Sequence, residues 1–200
     1  MQTIRCFIAV DISPEIKDRI SSLISHVASQ VPRGSVRWVE RVNLHLTLKF
    51  LGEIQSVRAN GIQKALDLVL GAIPAFDLSI AGAGLFPSAR KPRIIWLGIL
   101  PAHDVSLLAA KVDNAMQSLG FEPEDRPFSP HLTIGRVSRD VSESALPAIA
   151  EVVLKNQPGE IGMIRIQAVT LYRSDLRPQG PIYTPLAHVQ LADGKSPNPC

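Results

Sequence analysis

The run Ile4-Arg5-Cys6-Phe7-Ile8-Ala9-Val10 is rich in β-forming residues and predicts a first strand over 4–10. Ser13-Pro14-Glu15 then supplies an N-cap, a proline for the first helical position and an early acid. Ile16, Ile20, Leu23, Ile24 and Val27 follow at helical spacing, which predicts a helix to about residue 30. A short strand is expected at 36–39 and a longer one at 44–51, closed by Gly52. Ile62, Leu66, Val69 and Leu70 form the apolar face of a helix over 56–70. Strands at 76–83 and 93–100 flank the turn-rich segment 84–92. Leu108, Val112, Met116 and Leu119 mark a third helix stopped by Gly120. Pro127-Phe128-Ser129-Pro130 leads into a strand over 131–137. A fourth helix near 143–155 precedes strands at about 161–172 and 182–190.

Helices interspersed among strands that often follow one another directly predict an α+β fold with antiparallel sheets. Two of the strands carry the same tetrapeptide pattern, His45-Leu46-Thr47-Leu48 and His131-Leu132-Thr133-Ile134. Five histidines and five threonines in 200 residues give roughly one-eighth of a His-x-Thr by chance. Each copy lies in a strand followed by a helix, as in a degenerate internal duplication. Two similar lobes would then bring one motif each to a shared cleft.

Composition refines this picture only modestly. Two hundred residues, 46% hydrophobic and 20% charged, suit one globular domain with an ample core. The domain is expected to span 1–190, and the polar, proline-containing segment 191–200 to be a disordered tail. No apolar run approaches the ~20 residues needed to span a bilayer. The N-terminal apolar stretch is too short for a signal peptide and ends at Asp11, so a cytoplasmic location is expected. Two cysteines give no disulfide or metal framework: Cys6 reads as a buried inert thiol and Cys200 lies in the tail. A sequence pI near 9.1 with net charge +3 favours anionic partners mildly.

Alternate residues of a strand share a face, so each motif offers an imidazole and a hydroxyl side by side. Cleaving a phosphodiester without a metal needs a base on one side of phosphorus and an acid on the other. Histidine suits both tasks because its unperturbed pKa, about 6.5, lies near working pH. Thr47 and Thr133 could donate hydrogen bonds to the non-bridging oxygens, where negative charge develops. A lone histidine in an apolar strand is more often structural, but the repeated context favours catalysis for His45 and His131. His26, His103 and His188 have no such repeat and read as structural. A zinc site would want three or four ligands with a close-spaced pair, which His-x-Thr does not supply. No metal and no cofactor are therefore expected.

Several segments resemble the 2′-5′ RNA ligase or RNA 2′,3′-cyclic phosphodiesterase family of the two-histidine phosphoesterases. They are Cys6-Phe7-Ile8-Ala9-Val10-Asp11, Asn43–Glu53 around the first motif, Phe86-Pro87 and Arg93-Ile94-Ile95-Trp96-Leu97-Gly98. Pro130–Arg136 around the second motif, Leu171-Tyr172-Arg173-Ser174 and Gly180-Pro181-Ile182-Tyr183 complete the set. The resemblance runs in order to about residue 190. It implies a bilobal fold of two pseudo-symmetric lobes, each an antiparallel sheet with helices outside and the active-site cleft between them. It implies metal-independent hydrolysis of an RNA 2′,3′-cyclic phosphate end to a 2′-phosphate, with reversible 2′-5′ ligation as a side activity. By the same resemblance His45 is the proton donor and His131 the proton acceptor. RNA ends, tRNA halves among them, are the implied partner of a monomer that engages no membrane.

Arg136 resembles the basic residue at the end of the family's second motif. Its odd spacing from His131 puts it on the opposite face of a straight strand, so it can serve only at a strand end or bend. Arg93, Arg90, Lys91 and Arg126 lie in or beside predicted loops, where phosphate contact is feasible. Phe7, Trp38, Trp96 and Tyr183 are candidates to stack a terminal base, with core packing the competing role. Two other functions stay open at this point: a phosphodiesterase for a small cyclic nucleotide or ADP-ribose cyclic phosphate, and a noncatalytic RNA-end-binding module.

Overall fold

A computed structural model describes residues 2–178 and 180–192. Nine strands are present among them: β1 (Thr3–Asp11), β2 (Val36–Trp38), β3 (His45–Gln55), β4 (Phe76–Phe86), β5 (Ile94–Leu100), β6 (His131–Val137), β7 (Glu160–Ile166), β8 (Ala168–Arg177) and β9 (Gly180–Gln190). Four α-helices connect them: α1 (Pro14–Ala28), α2 (Ala59–Leu70), α3 (Ala102–Gln117) and α4 (Leu146–Lys155). The strands form two sheets, ordered β3-β1-β8-β9 and β2-β6-β5-β4-β7, and every ladder is antiparallel.

The two sheets repeat one plan. Each motif strand pairs with an earlier strand (β3 with β1, β6 with β5), and a third and fourth strand extend the sheet beyond that partner. The lobes are nevertheless not successive halves of the chain. Helix α1 packs against β7 and β2 of the five-stranded sheet, whereas α2 and α3 pack against β9 and β3 of the four-stranded one. After β7 the chain returns to the first sheet for β8 and β9. This repeated crossing buries both helix faces predicted by periodicity, with Ile16, Ile20, Ile24 and Val27 inward on α1 and Ile62, Leu66 and Leu70 inward on α2.

Several boundaries differ from the sequence expectation: β4 runs on to Phe86, into the segment that reads as turn, and α2 and α4 are each preceded by a 3-10 turn where the sequence predicts the helix to begin. Gly52 does not end β3; the strand continues to Gln55, and Gly52 sits inside it at φ 69° opposite Cys6. Such a φ suits glycine because a side chain there would be strained. The run 161–172 is two strands, because Gln167 alone separates β7 from β8 as the chain changes sheet. No glycine or proline marks that switch, so the pattern reads as continuous. Finally, Leu191 is buried and Ala192 bridges to Pro74, so the fold is tied down two residues past the expected boundary. The expectation of a disordered tail otherwise falls on 193–200, with Cys200, outside the described residues.

Candidate active site

β3 and β6 approach each other, so the two motif strands meet across the cleft between the sheets. Both strands begin at their histidine, and both show the same inward–outward sequence over seven residues. In each, two consecutive buried residues follow the threonine: Leu48-Lys49 in β3 and Ile134-Gly135 in β6. A register shift in the ladder accounts for this. Thr47 pairs with Ala9 and Lys49 with Ile8, while Thr133 pairs with Trp96 and Gly135 with Ile95. One extra residue in each motif strand is a β-bulge, and it shifts the alternation that follows.

The bulge settles the side taken by Arg136. Beyond it Arg136 returns to the face of His131 and Thr133, with its side chain exposed. Its guanidinium acts electrostatically on both His45 and Tyr183, residues of the opposite lobe. In β3 the same offset places Phe50 on the face of His45 and Thr47. Phe50 is 58% exposed and was not singled out by sequence, where it reads as one more apolar strand residue. Its exposure could not be inferred without the bulge.

Each imidazole is held in the same way. His45 donates from Nδ1 to the carbonyl of Asn43 at 2.7 Å, and His131 donates from Nδ1 to the carbonyl of Ser129 at 2.7 Å. This bond leaves Nε2 as the nitrogen free to exchange a proton in the neutral ring. At His45, Nε2 also meets Thr47 Oγ1 at 3.0 Å. Asn43 is itself buried and donates from Nδ2 to the Pro181 carbonyl at 3.0 Å, anchoring the first motif to β9.

Aromatic rings back both histidines. Phe7 packs on His45 at 4.8 Å and Phe86 lies edge-on to His131 at 5.0 Å. Phe7 is only 3% exposed, covered by His45, Tyr172 and Tyr183, so it supports the imidazole and cannot stack a base. Tyr183, half-buried, meets His45 edge-on at 5.2 Å and does reach the cleft. Trp96 packs beside Phe86 at 5.1 Å, over Gly84 and 6.5 Å from His131, and its indole Nε1 is buried without a hydrogen-bond partner among the described residues. Trp38 covers Gly135 from β2, a packing role.

Arg93 is exposed just before β5, where its backbone pairs with Phe86 and Val137. Lys91 pairs with Glu143 at 3.2 Å, at the edge of a shallow groove that includes Arg90.

Burial pushes the His45 imidazole down to about 4. The Asn43 carbonyl and the Asp11 carboxylate oppose that shift, while Lys17 and Arg136 add to it. Asp11 lies opposite His45 in the β1–β3 ladder and accepts hydrogen bonds from Tyr172 and Thr170. The sequence pattern gives Lys17 and Asp11 no role beside His45; they come together because α1 starts three residues after β1 ends. Among the described residues no three His, Cys, Asp or Glu side chains gather as a set that could hold a metal ion. Nor is any described helix long and apolar enough to cross a membrane.

Two His-x-Thr strands with matched bulges and matched tautomers, one from each of two similar sheets, define the two-histidine class of α+β protein. A family model described as LigT-like phosphoesterase matches residues 10–96 and 99–183, and the chain belongs to that family. A relative from Methanothermobacter thermautotrophicus, named RNA 2′,3′-cyclic phosphodiesterase, is 37% identical over 181 residues, covering 90% of this chain and 95% of its own. One of the same name from Escherichia coli is 34% identical over 185 residues, covering 91% and 93%. The crystal structure of E. coli LigT complexed with 3′-AMP superposes with a TM-score of 0.74 at 30% identity, over 96% of this chain and 99% of that one.

Proposed function

We propose that this protein hydrolyses 2′,3′-cyclic phosphate ends of RNA to 2′-phosphomonoesters, using His45 and His131 as an acid–base pair without a metal. The observation that carries the reading is the shared tautomer: both rings commit Nδ1–H to the carbonyl two residues back, which leaves Nε2 uncommitted to backbone on two strands that approach each other. Neutral His131 takes a proton from water as its oxygen attacks phosphorus. The P–O3′ bond breaks, and protonated His45 delivers a proton to the departing O3′. Thr47 and Thr133 donate to the non-bridging oxygens, and Arg136 holds the phosphate charge. Run backwards with an RNA 5′-hydroxyl in place of water, the same steps form a 2′-5′ linkage.

Burial keeps His45 neutral at pH 7, which suits a base better than a donor. A phosphodiester anion beside the ring favours the imidazolium, so substrate binding itself charges the donor. Phe50 and Tyr183 flank the cleft where a terminal base stacks. One chain carries both histidines, so a monomer suffices, and tRNA halves are within the substrate class. The relatives that bear the RNA phosphodiesterase name support RNA over a free cyclic nucleotide. A cytoplasmic setting completes the reading.

Incubation with an RNA ending in a 2′,3′-cyclic phosphate, in EDTA, tests it. A 2′-phosphate product, formed faster than from a cyclic mononucleotide, is expected. A 3′-phosphate product, or none, would overturn the mechanism.

A further inference from the structure

Lys49 is a charged residue with a 2% exposed side chain, facing away from the cleft, and the proton transfers above make no use of it. The bulge after Thr47 turns it inward. Its ammonium is bonded to the Asp113 carboxylate of α3, donates to the Glu122 carbonyl at 2.8 Å, and lies 3.8 Å from the Glu124 carboxylate. The equivalent position in the other motif strand is Gly135, where Val36 and Trp38 fill the space. The tie is thus peculiar to the first motif, yet its partners lead to the second. Residues 122–124 begin the irregular segment that runs to Ser129, whose carbonyl fixes the His131 imidazole.

Two features make this connection mechanically relevant. β3 is the edge strand of its sheet, paired only with β1, so its outer side has no ladder to hold it. A second cation from the same arm grips the same segment: Arg58 donates to the Leu119 carbonyl at 2.6 Å and lies over the Phe121 ring at 4.2 Å. A buried ammonium requires its partners in place, so it converts a loose loop into a fixed one.

We infer that Lys49 is a positioning residue: with Asp113 and the Glu122 carbonyl it locks the strand bearing His45 to the segment bearing His131, and so sets the spacing of the two imidazoles. The inference rests on the acid–base pair proposed above. Arg58 keeps the segment attached when Lys49 is replaced, so the chain folds with a loosened register.

The test compares Lys49→Met and Asp113→Asn with Lys49→Arg, which keeps the charge. Either of the first two should lower kcat on cyclic-ended RNA by about 100-fold with little change in KM, as expected for misplaced reacting groups. Hydrogen exchange should quicken over 119–126 while α1 and α4 stay protected, and the His131 imidazole resonances should shift. Lys49→Arg should recover most of the turnover. Unchanged kcat, or faster exchange spread evenly over the whole fold, would overturn the inference. If Lys49→Met does not fold, Asp113→Asn carries the same comparison. An inactive wild type would refute the RNA reading; the exchange and resonance arms would still decide the tie.

Discussion

Phe50 and Arg136 hold corresponding positions, each five residues after its motif histidine and each returned to the cleft face by a bulge. One lobe thereby presents an aromatic ring and the other a guanidinium at matching rims. On the function proposed above, this asymmetry gives the cleft a direction, with a base side at Phe50 and a charge side at Arg136.

Phe50→Ala should raise KM for a cyclic-ended RNA by about 5- to 150-fold, since stacking one base is worth about 1–3 kcal/mol. Phe50→Trp should retain affinity. With 58% of Phe50 exposed, thermal stability should hardly change. Steady-state kinetics with a parallel melting curve checks both; unaltered KM in the alanine variant would remove Phe50 from the site.

Arg136→Ala should weaken binding of RNAs of different sequence alike and lower the slope of log affinity against log salt by about one. Titration at several salt concentrations measures this. A loss restricted to one terminal base would point to base recognition instead.

His45→Ala and His131→Ala should each reduce turnover by roughly 10²- to 10⁴-fold while leaving RNA binding largely intact. Turnover that survives both substitutions would eliminate the acid–base pair.

His45 also makes stability depend on pH. In the unfolded chain it binds a proton as pH falls through 6.5, but in the fold only near 4. Over that window the unfolded state holds more protons, so stability falls with falling pH, by up to roughly 3 kcal/mol from this group. Urea unfolding of wild type and His45→Gln at pH 7 and pH 4 isolates the contribution, and the wild type should lose more. Inorganic phosphate should raise the His45 titration midpoint in NMR; a midpoint unmoved by phosphate would count against His45 as donor.

Gly84→Ala should disturb the second wall. A Cβ there would stand 2.2 Å from the Trp96 ring, and relieving such overpacking costs about 1–3 kcal/mol. Displacing Trp96 should also loosen the wall that it forms with Phe86 beside His131, visible in denaturation and in indole fluorescence. A variant as stable and active as wild type would mean that the ring moves freely.

Much of this protein was readable within short windows. The α1 and α2 faces follow a 3.6-residue period, and His45 with Thr47, or His131 with Thr133, share a face because strand residues alternate. These are properties of a few neighbouring residues, so the chain alone determined them, along with the α+β class. The side taken by Arg136, the exposure of Phe50 and the burial of Phe7 depend on partners elsewhere. Each hangs on a bulge against β1 or β5, or on rings delivered by β8 and β9 from the far end of the chain. The division at Gln167 and the Lys49 tie are of the same kind. A strand does not encode which sheet accepts it, nor a lysine which carboxylate meets it. Those choices are made when distant segments pack, and they are what convert two repeated tetrapeptides into one site.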